Sequence, residues 1–159
     1  MPFLYGVDGM PATAYATHAT PNTEDPSLCL RQAVRNFDLI SLFVHGRGAA
    51  LTAITGIGFR VRRWTTVGSG GTAVVPNPRR IGTTASTVGA DKVSALTQGT
   101  VSGAVQVAIG CGAAGPGGWV AVNPDAYITV EAGSADELAI DSVCGVTAMS
   151  HHVSAEIQE

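Results

Sequence analysis

The chain has 159 residues, which is the length of one domain with a single packed core. Charged residues make up only 13% of it and hydrophobic residues 45%, so we expect partners to cover part of an otherwise uncharged surface. The net charge of −3 gives no electrostatic reason to bind nucleic acid or an anionic membrane, and we expect neither partner.

The first 26 residues are weakly patterned. FLYGV and ATAYATHAT are candidate short strands on either side of a turn at DGMP, and Asn22–Pro26 is polar and predicts a loop. We therefore assign residues 1–26 to an extended amino-terminal arm with short strands, and residues 27–159 to a β-sandwich domain.

The segment Ser27–Asn36 fits two alternatives. An apolar stripe that includes Leu30 and Val34 matches one face of a helix that begins at Pro26. Leu28, Leu30 and Val34 also share one side of an extended chain, and the strand is favoured because the following segments are strand-like. The next of these, Asp38–Gly46, is apolar on both faces and predicts a central strand.

The strand GFRVRRW has one face that starts apolar, with Phe59 and Val61, and one that is basic. A glycine-rich loop follows and runs to two prolines, which predicts a segment that covers another surface. We name six residues in and after this strand as candidates for a protein interface: Arg60, Arg62, Arg63, Trp64, Arg79 and Arg80. The alternative is a solvated strand face whose arginine stems are buried.

Residues 79–100 predict loops and one short strand, although ADKVSALTQ also fits a short helix. The alternation returns in Val101–Ile109, which predicts a strand. GCGAAGPGG then predicts a long turn before WVAV, whose Trp119 we expect in the core.

Three more alternating segments complete the chain, around Ile128, around Leu138 and from Met149 to Gln158. The last is expected to pair inside a sheet, because its apolar face would otherwise be exposed along its whole length. In total there are eight to ten candidate strands and no secure helix. The sequence therefore predicts an all-β, jelly-roll-like β-sandwich in a single domain.

No set of residues resembles a catalytic apparatus, and we expect a non-enzymatic protein without cofactor or metal. His151 and His152 face opposite sides of a strand and cannot share a metal ion, so we expect His151 to be hydrogen-bonded in the core or at an interface. Cys111 in GCG and Ser69 in GSGG show neither an elbow motif nor a paired base.

The cysteine, hydropathy and charge patterns argue against several further classes of protein and of metal site. The three cysteines have no CxxC spacing, which predicts neither a disulfide framework nor a zinc site and fits a reducing compartment. No basic start precedes an apolar run, and no apolar segment approaches about 18 residues, so neither a signal peptide nor a membrane span is expected. Five acidic residues near two turns match no calcium-binding loop, and we interpret them as a solvated rim: Asp125, Glu131, Asp136, Glu137 and Asp141.

Several motifs follow one another along the chain: LCLRQAV, DLISLFVHG, GFRVRRWTT, a GSGGTAVVPNPRR loop, GGWVAV, an AYITVEAG and ELAID pair, and a final HVSAEIQE. Their order resembles that of small β-sandwich virion proteins of tailed bacteriophages. The resemblance covers roughly Ser27 to Glu159, and its motifs are compositional rather than catalytic.

The resemblance implies a jelly-roll-like capsid decoration or cement protein, often a homotrimer, that sits on the major capsid protein. Such a protein is assembled in the host cytoplasm and lies on the capsid surface of the virion, and an amino-terminal arm would reach a neighbouring subunit. The alternatives are a receptor- or glycan-binding jelly-roll module of a phage tail or spike, and a trimeric ligand-binding domain outside any virus. The 6% of aromatic residues favours the decoration protein over glycan binding.

Overall fold

Thirteen β-strands and one short 3-10 helix form the regular structure of the described residues. The computed structural model describes residues 2–9, 16–17, 24–31, 34–47, 56–66, 68–92, 99–112, 115–132, 137–144 and 150–159. The strands are β1 (Leu4–Asp8), β2 (Ala16–Thr17), β3 (Glu24–Arg31), β4 (Phe37–Arg47), β5 (Ile57–Trp64), β6 (Thr72–Val74), β7 (Asn77–Pro78), β8 (Gly89–Lys92), β9 (Val101–Cys111), β10 (Pro116–Val120), β11 (Ile128–Val130), β12 (Glu137–Cys144) and β13 (Ser150–Gln158). The 3-10 helix, Pro124–Ala126, is capped by Asn123, whose side chain accepts a hydrogen bond from the backbone N–H of Ala126.

The strands pair into two antiparallel sheets. Sheet A has the order β10-β4-β13-β1-β7, with β11 also paired to β4 and β2 to β13. Sheet B has the order β6-β8-β3-β12-β5-β9. Apolar side chains from the inner faces of both sheets form one core cluster, so the sheets are the two layers of a sandwich.

Eight of these strands pair in a nested order. β1 pairs with β13, β3 with β12, β4 with β10 and β5 with β9. Successive pairs alternate between the sheets, because β1–β13 and β4–β10 belong to sheet A and the other two pairs to sheet B. A long antiparallel hairpin folded over itself in this way is a jelly roll. The predicted all-β, jelly-roll-like sandwich is therefore confirmed, with five shorter strands added to the eight principal ones.

Period-two patterning builds the core, as β13 shows. Its residues alternate between buried and half-buried along the whole strand, with Val153, Ala155 and Ile157 among the buried set. Burying one large apolar side chain contributes about 1.5–3 kcal/mol. The largest side chains that are fully buried in this core are Tyr5, Phe37, Phe59, Leu28, Leu30, Leu39, Leu42, Ile57, Leu138, Ile140 and Ile157.

Part of the predicted amino-terminal arm lies inside the sandwich. β1 runs between β13 and β7, and its Tyr5 and Val7 are each 1% exposed. The Tyr5 hydroxyl donates a hydrogen bond to the carbonyl of Thr84 at 2.9 Å. Leu4–Asp8 is therefore a core strand, because its alternate apolar side chains fill the inner face of sheet A. Most of ATAYATHAT lies outside the described residues.

The segment that begins at Ser27, for which a helix and a strand are the alternatives, forms strand β3 as far as Arg31. It extends back through Pro26, which was expected in a loop and lies beside a register shift in the β3–β12 ladder. A proline is tolerated at such an irregularity because it has no N–H to pair. The strand ends before Val34, which is 71% exposed, whereas Leu28 and Leu30 are buried.

A register shift breaks the alternation of β4, which by period two alone would place Ile40 on the same face as Leu42 and Val44. The strand is central, between β10 and β13, as predicted. In the β4–β13 ladder, however, Ile40 lies between two paired residues and has no residue opposite it. Leu39 is consequently buried together with Leu42 and Val44, and Ile40 is half-buried.

The glycine-rich turn after β9 is shorter than predicted. The first two residues of GCGAAGPGG complete β9, and the last three begin β10. A Cβ at Gly117 would lie 3.0 Å from the carbonyl oxygen of Gly110, so glycine permits the close approach of the two strands. Trp119 packs against the core from β10, as predicted. The alternative helix ADKVSALTQ is wrong for its first three residues, which belong to β8, and residues 93–98 lie outside the described residues.

Candidate functional site

The six interface candidates lie on different faces of the sandwich. Arg60 and Arg62 are half-buried on the outer face of sheet B, and Arg60 lies opposite Asp141 in the β5–β12 ladder. Arg79 lies on the outer face of sheet A, and Arg80 is exposed beside it in the chain. The arginines among the six candidates are therefore divided between the two sheets.

Arg63 and Trp64 make their contacts within the protein. Arg63 donates a hydrogen bond from its guanidinium to the carbonyl of Thr129 at 2.6 Å. Trp64 is 0% exposed and packs with Cys29 and Ala139 in a second, smaller cluster. A buried indole cannot contact a partner, so Trp64 is removed from the interface candidates.

Two loops close over the Trp64 ring. The backbone N–H of Thr65 donates to the carbonyl of Thr100 at 2.8 Å, and the hydroxyls of Thr66 and Thr100 are 2.9 Å apart. An added Cβ at Gly99 would lie 3.0 Å from the ring. Alternation in the strand places Trp64 on the outer face, but it carries no information about loops that cover that face.

Acidic residues on the outer face of sheet B are buried. Glu137 and Asp141 are 1% and 0% exposed. Arg31 forms ion pairs with both Glu137 and Asp91, and the backbone N–H of Gly68 donates to Glu137 at 3.1 Å. The predicted solvated rim is therefore wrong for Glu137 and Asp141, because basic and backbone groups replace water around the first and a basic strand lies beside the second.

β9 and β10 are the edge strands on one side of the sandwich. β9 ends sheet B, β10 ends sheet A, and a short link joins them. We call residues 101–112 and 115–122 the β9–β10 edge. Three valines are exposed along it, Val105 at 41%, Val120 at 58% and Val122 at 90%. This edge contains no Asp, Glu, Lys, Arg or His, so it lacks the charges that keep sheet edges from pairing with other chains.

A signal for this edge is present in the sequence. From residue 93 to residue 124 the chain has no charged residue and no histidine, and Lys92 and Asp125 border that run. The clustered arginines of β5 are the more prominent pattern, and they favour an interface on that strand instead. The uncharged run marks a candidate surface, but only the strand order shows that it lies at an edge.

The outer face of sheet A contains a groove of about 280 Å³ beside Gly6. The Arg79 guanidinium lies over Gly6, where an added Cβ would be 2.9 Å away, and its Nη2 lies 2.9 Å from Oε1 of Glu156. On the other side of the groove, Oδ1 of Asp8 lies 2.7 Å from Nε2 of His152. Two pairs of a basic and an acidic side chain, Arg79–Glu156 and His152–Asp8, therefore line this groove.

The neighbouring histidine faces the core, as predicted. Nε2 of His151 lies 2.8 Å from the hydroxyl of Ser27, and its ring meets the ring of Phe59 edge-on at 5.4 Å. Within the described ranges, no three His, Cys, Asp or Glu side chains are grouped so as to hold a metal ion. The same residues include no helix with the length and apolar character needed to span a bilayer.

Two cysteines are free and buried. Burial raises the pKa of the Cys111 thiol, which is the opposite of what an activated nucleophile requires. Burial, followed by the nearby Glu137 carboxylate, also raises the pKa of Cys29. Ser69, the other candidate nucleophile, is exposed in the loop after β5.

A comparison with protein-family models finds no match, and a comparison with curated proteins finds none. Among solved structures, the chain is similar to one described as the structure of infectious bursal disease virus, Gx strain, with 10% sequence identity and a TM-score of 0.24. The match covers 99% of this chain and 42% of that one. A TM-score this low carries no argument about function, and the jelly-roll fold is established by the strand order alone.

Proposed function

We propose that this chain is a non-enzymatic structural protein of a bacteriophage virion, a capsid decoration or cement protein that binds the major capsid protein and stabilises the head. The observation that carries the proposal is the β9–β10 edge, a long uncharged border of the jelly roll with three exposed valines. The order of motifs that resembles small virion proteins supports the same function.

A cement protein must contribute interface free energy where neighbouring subunits meet. An edge strand offers backbone N–H and C=O groups to a strand of a partner, and small uncharged side chains permit close backbone approach. Burying such an edge does not require desolvating an ionised group. A standard interface takes about 800 Å² from each partner, which is about a tenth of the 7808 Å² surface of this protein.

The proposal includes a homotrimer on the capsid surface, formed after synthesis in the host cytoplasm. Three subunits close into a ring when the edge of one meets a different surface of the next. Arg80 remains a candidate for such a surface because it is exposed, whereas Arg79 is paired with Glu156 in the groove on the outer face of sheet A.

Binding to empty heads of the major capsid protein from the same phage tests the proposed function. Val105→Lys and Val122→Lys place charge on the β9–β10 edge, and each is expected to weaken binding about tenfold or more. Val34→Lys changes a valine that is 71% exposed outside the edge, and it is the matched control. It is expected to bind heads as the wild-type protein does.

The wild-type protein should sediment with the heads and raise the temperature at which they break open. Edge variants that bind as well as the Val34→Lys control would contradict the proposal, as would a wild-type protein that binds host cells but not heads. Sedimentation equilibrium tests the trimer separately. A monomer at every concentration would exclude the trimer and leave the head-binding result unaffected.

The second candidate function is a receptor- or glycan-binding module. One observation favours it, which is the groove on the outer face of sheet A next to the exposed ring of Phe43.

A further inference from the structure

The groove on the outer face of sheet A has the dimensions of a small ligand site. It lies over β1 and β13, and because Gly6 has no side chain the Arg79 guanidinium lies directly over the backbone of β1 at the groove. Its volume of about 280 Å³ is near the lower end of the range for small-molecule sites, roughly 300 Å³. The groove therefore has room for one small ring rather than for an extended chain.

The groups around the groove favour a neutral ligand. Both basic groups that line it, Arg79 and His152, contact an acidic one, Glu156 and Asp8 respectively. The Arg79 side chain is 56% exposed and that of Asp8 is 62% exposed, so a ligand in the groove can reach both. An ionic ligand would meet a like charge in this arrangement, whereas hydroxyl groups can both donate and accept.

Phe43 supplies an aromatic wall. It lies on β4 opposite Ser154 of β13, lines the groove and is 47% exposed. A Cβ added at Gly118 would lie 3.3 Å from the ring, so the glycine leaves the space that the ring occupies. An exposed aromatic face in a sheet packs well against the C–H groups of a ligand.

We propose that this groove binds a single pyranose ring of a carbohydrate. The C–H face of the sugar packs on Phe43, and its hydroxyls bond to Asp8, Asn77 and Arg79, which also line the groove. A sugar combines a neutral charge, hydroxyls that donate and accept, and an apolar face, which are the three properties that the lining requires. This site goes beyond the proposed function, because its lining lies on β1, β4, β13 and the segment around β7, and it meets the β9–β10 edge only where Phe43 packs beside Gly118.

Titration of ¹⁵N-labelled protein tests the site by NMR. The probes are glucose, galactose, mannose and N-acetylglucosamine, each added alone, with glycerol as a polyol that lacks a ring. At least one sugar is expected to give saturable shifts at Gly6 and Ser154 with a millimolar Kd. Glycerol is expected to give none.

Substitutions at Phe43 separate ring packing from general apolar contact. Phe43→Leu keeps an apolar side chain without the ring and is expected to raise the Kd about threefold to tenfold. Phe43→Tyr restores the ring and should bind as the wild-type protein does. Gly6→Ala adds a methyl group beneath Arg79 and should also weaken binding, whereas Val75→Leu, at a valine that is 71% exposed outside the groove, should not.

The proposal is overturned if no sugar gives saturable shifts, if the shifts lie along the β9–β10 edge away from Gly118, or if Phe43→Leu protein binds the sugar with the wild-type Kd. Head binding by Phe43→Leu protein is measured in parallel and is expected to be unchanged. Loss of sugar binding with normal head binding therefore supports two separate sites.

Discussion

The buried contact between Ser27 and His151 makes a measurable contribution to stability. Ser27→Ala removes the hydroxyl that lies 2.8 Å from Nε2 of a histidine that is 1% exposed. We expect the free energy of unfolding to fall by about 1–3 kcal/mol, because water cannot replace the lost hydrogen bond. Urea denaturation measures the change. Ser69→Ala, at an exposed serine, should stay within about 0.5 kcal/mol of wild type, and equal stabilities for the two variants would contradict this account.

Cys29 is expected to be unreactive in the folded protein. Its thiol is 0% exposed, and its raised pKa keeps it neutral at about pH 8.5, where an ordinary cysteine is half ionised. Above that pH only the unfolded chain ionises at this position, so the stability contributed by the neutral thiol falls as pH rises. Iodoacetamide should label the Cys29 peptide only after denaturation. Labelling of the native protein at the denatured rate would show that the site is open.

Alternation in the sequence predicts most of the inward-facing residues, and the exceptions arise from contacts with other strands and loops. In β13 the predicted and observed faces agree along the whole strand. Two of the exceptions are Ile40, where the ladder shifts register, and Trp64, where two loops cover the outer face. A bulge depends on the partner strand and a covering loop on distant residues. Neither can be inferred from the pattern within one strand.

At the scale of elements, β1 belongs to the core of the sandwich. Val7→Ala removes two methyl groups from a side chain that is 1% exposed, and we expect it to lower the free energy of unfolding by about 2 kcal/mol. Leu4→Ala, in the same strand but at a residue that is 37% exposed, should change it by less than about 0.5 kcal/mol. Thermal or urea unfolding measures both. Small and equal effects would mean that β1 behaves as a dispensable arm.

Strands could be recognised from the sequence more readily than their positions in the sheets. β9 shows clear alternation, yet nothing within it reveals that it ends sheet B while β4 lies in the middle of sheet A. The groove has the same origin, since β7 brings Arg79 over Gly6 from the far edge of sheet A. Both candidate sites therefore depend on strand order, which residues distant in the chain determine together.

At the scale of the whole molecule, the number and spacing of strands predict a sandwich, but the nested pairing needs the structure. Each of the four principal pairs joins segments that are far apart in the sequence and similar in composition. Many alternative pairings would satisfy the same alternation. Apolar faces thus predict that two sheets form, whereas the pairing of all four strand pairs is needed to define the jelly roll.

The nested order also predicts which strands pair late during folding. β1–β13 closes the longest loop of the four pairs and β5–β9 the shortest, so the entropy cost is greatest for the outer pair. Val7→Ala should therefore speed unfolding and leave the folding rate unchanged, whereas Val61→Ala in β5 should slow folding. Stopped-flow tryptophan fluorescence measures both rates. If Val7→Ala slows folding as much as Val61→Ala does, β1 is already paired in the transition state and the outer strands do not close last.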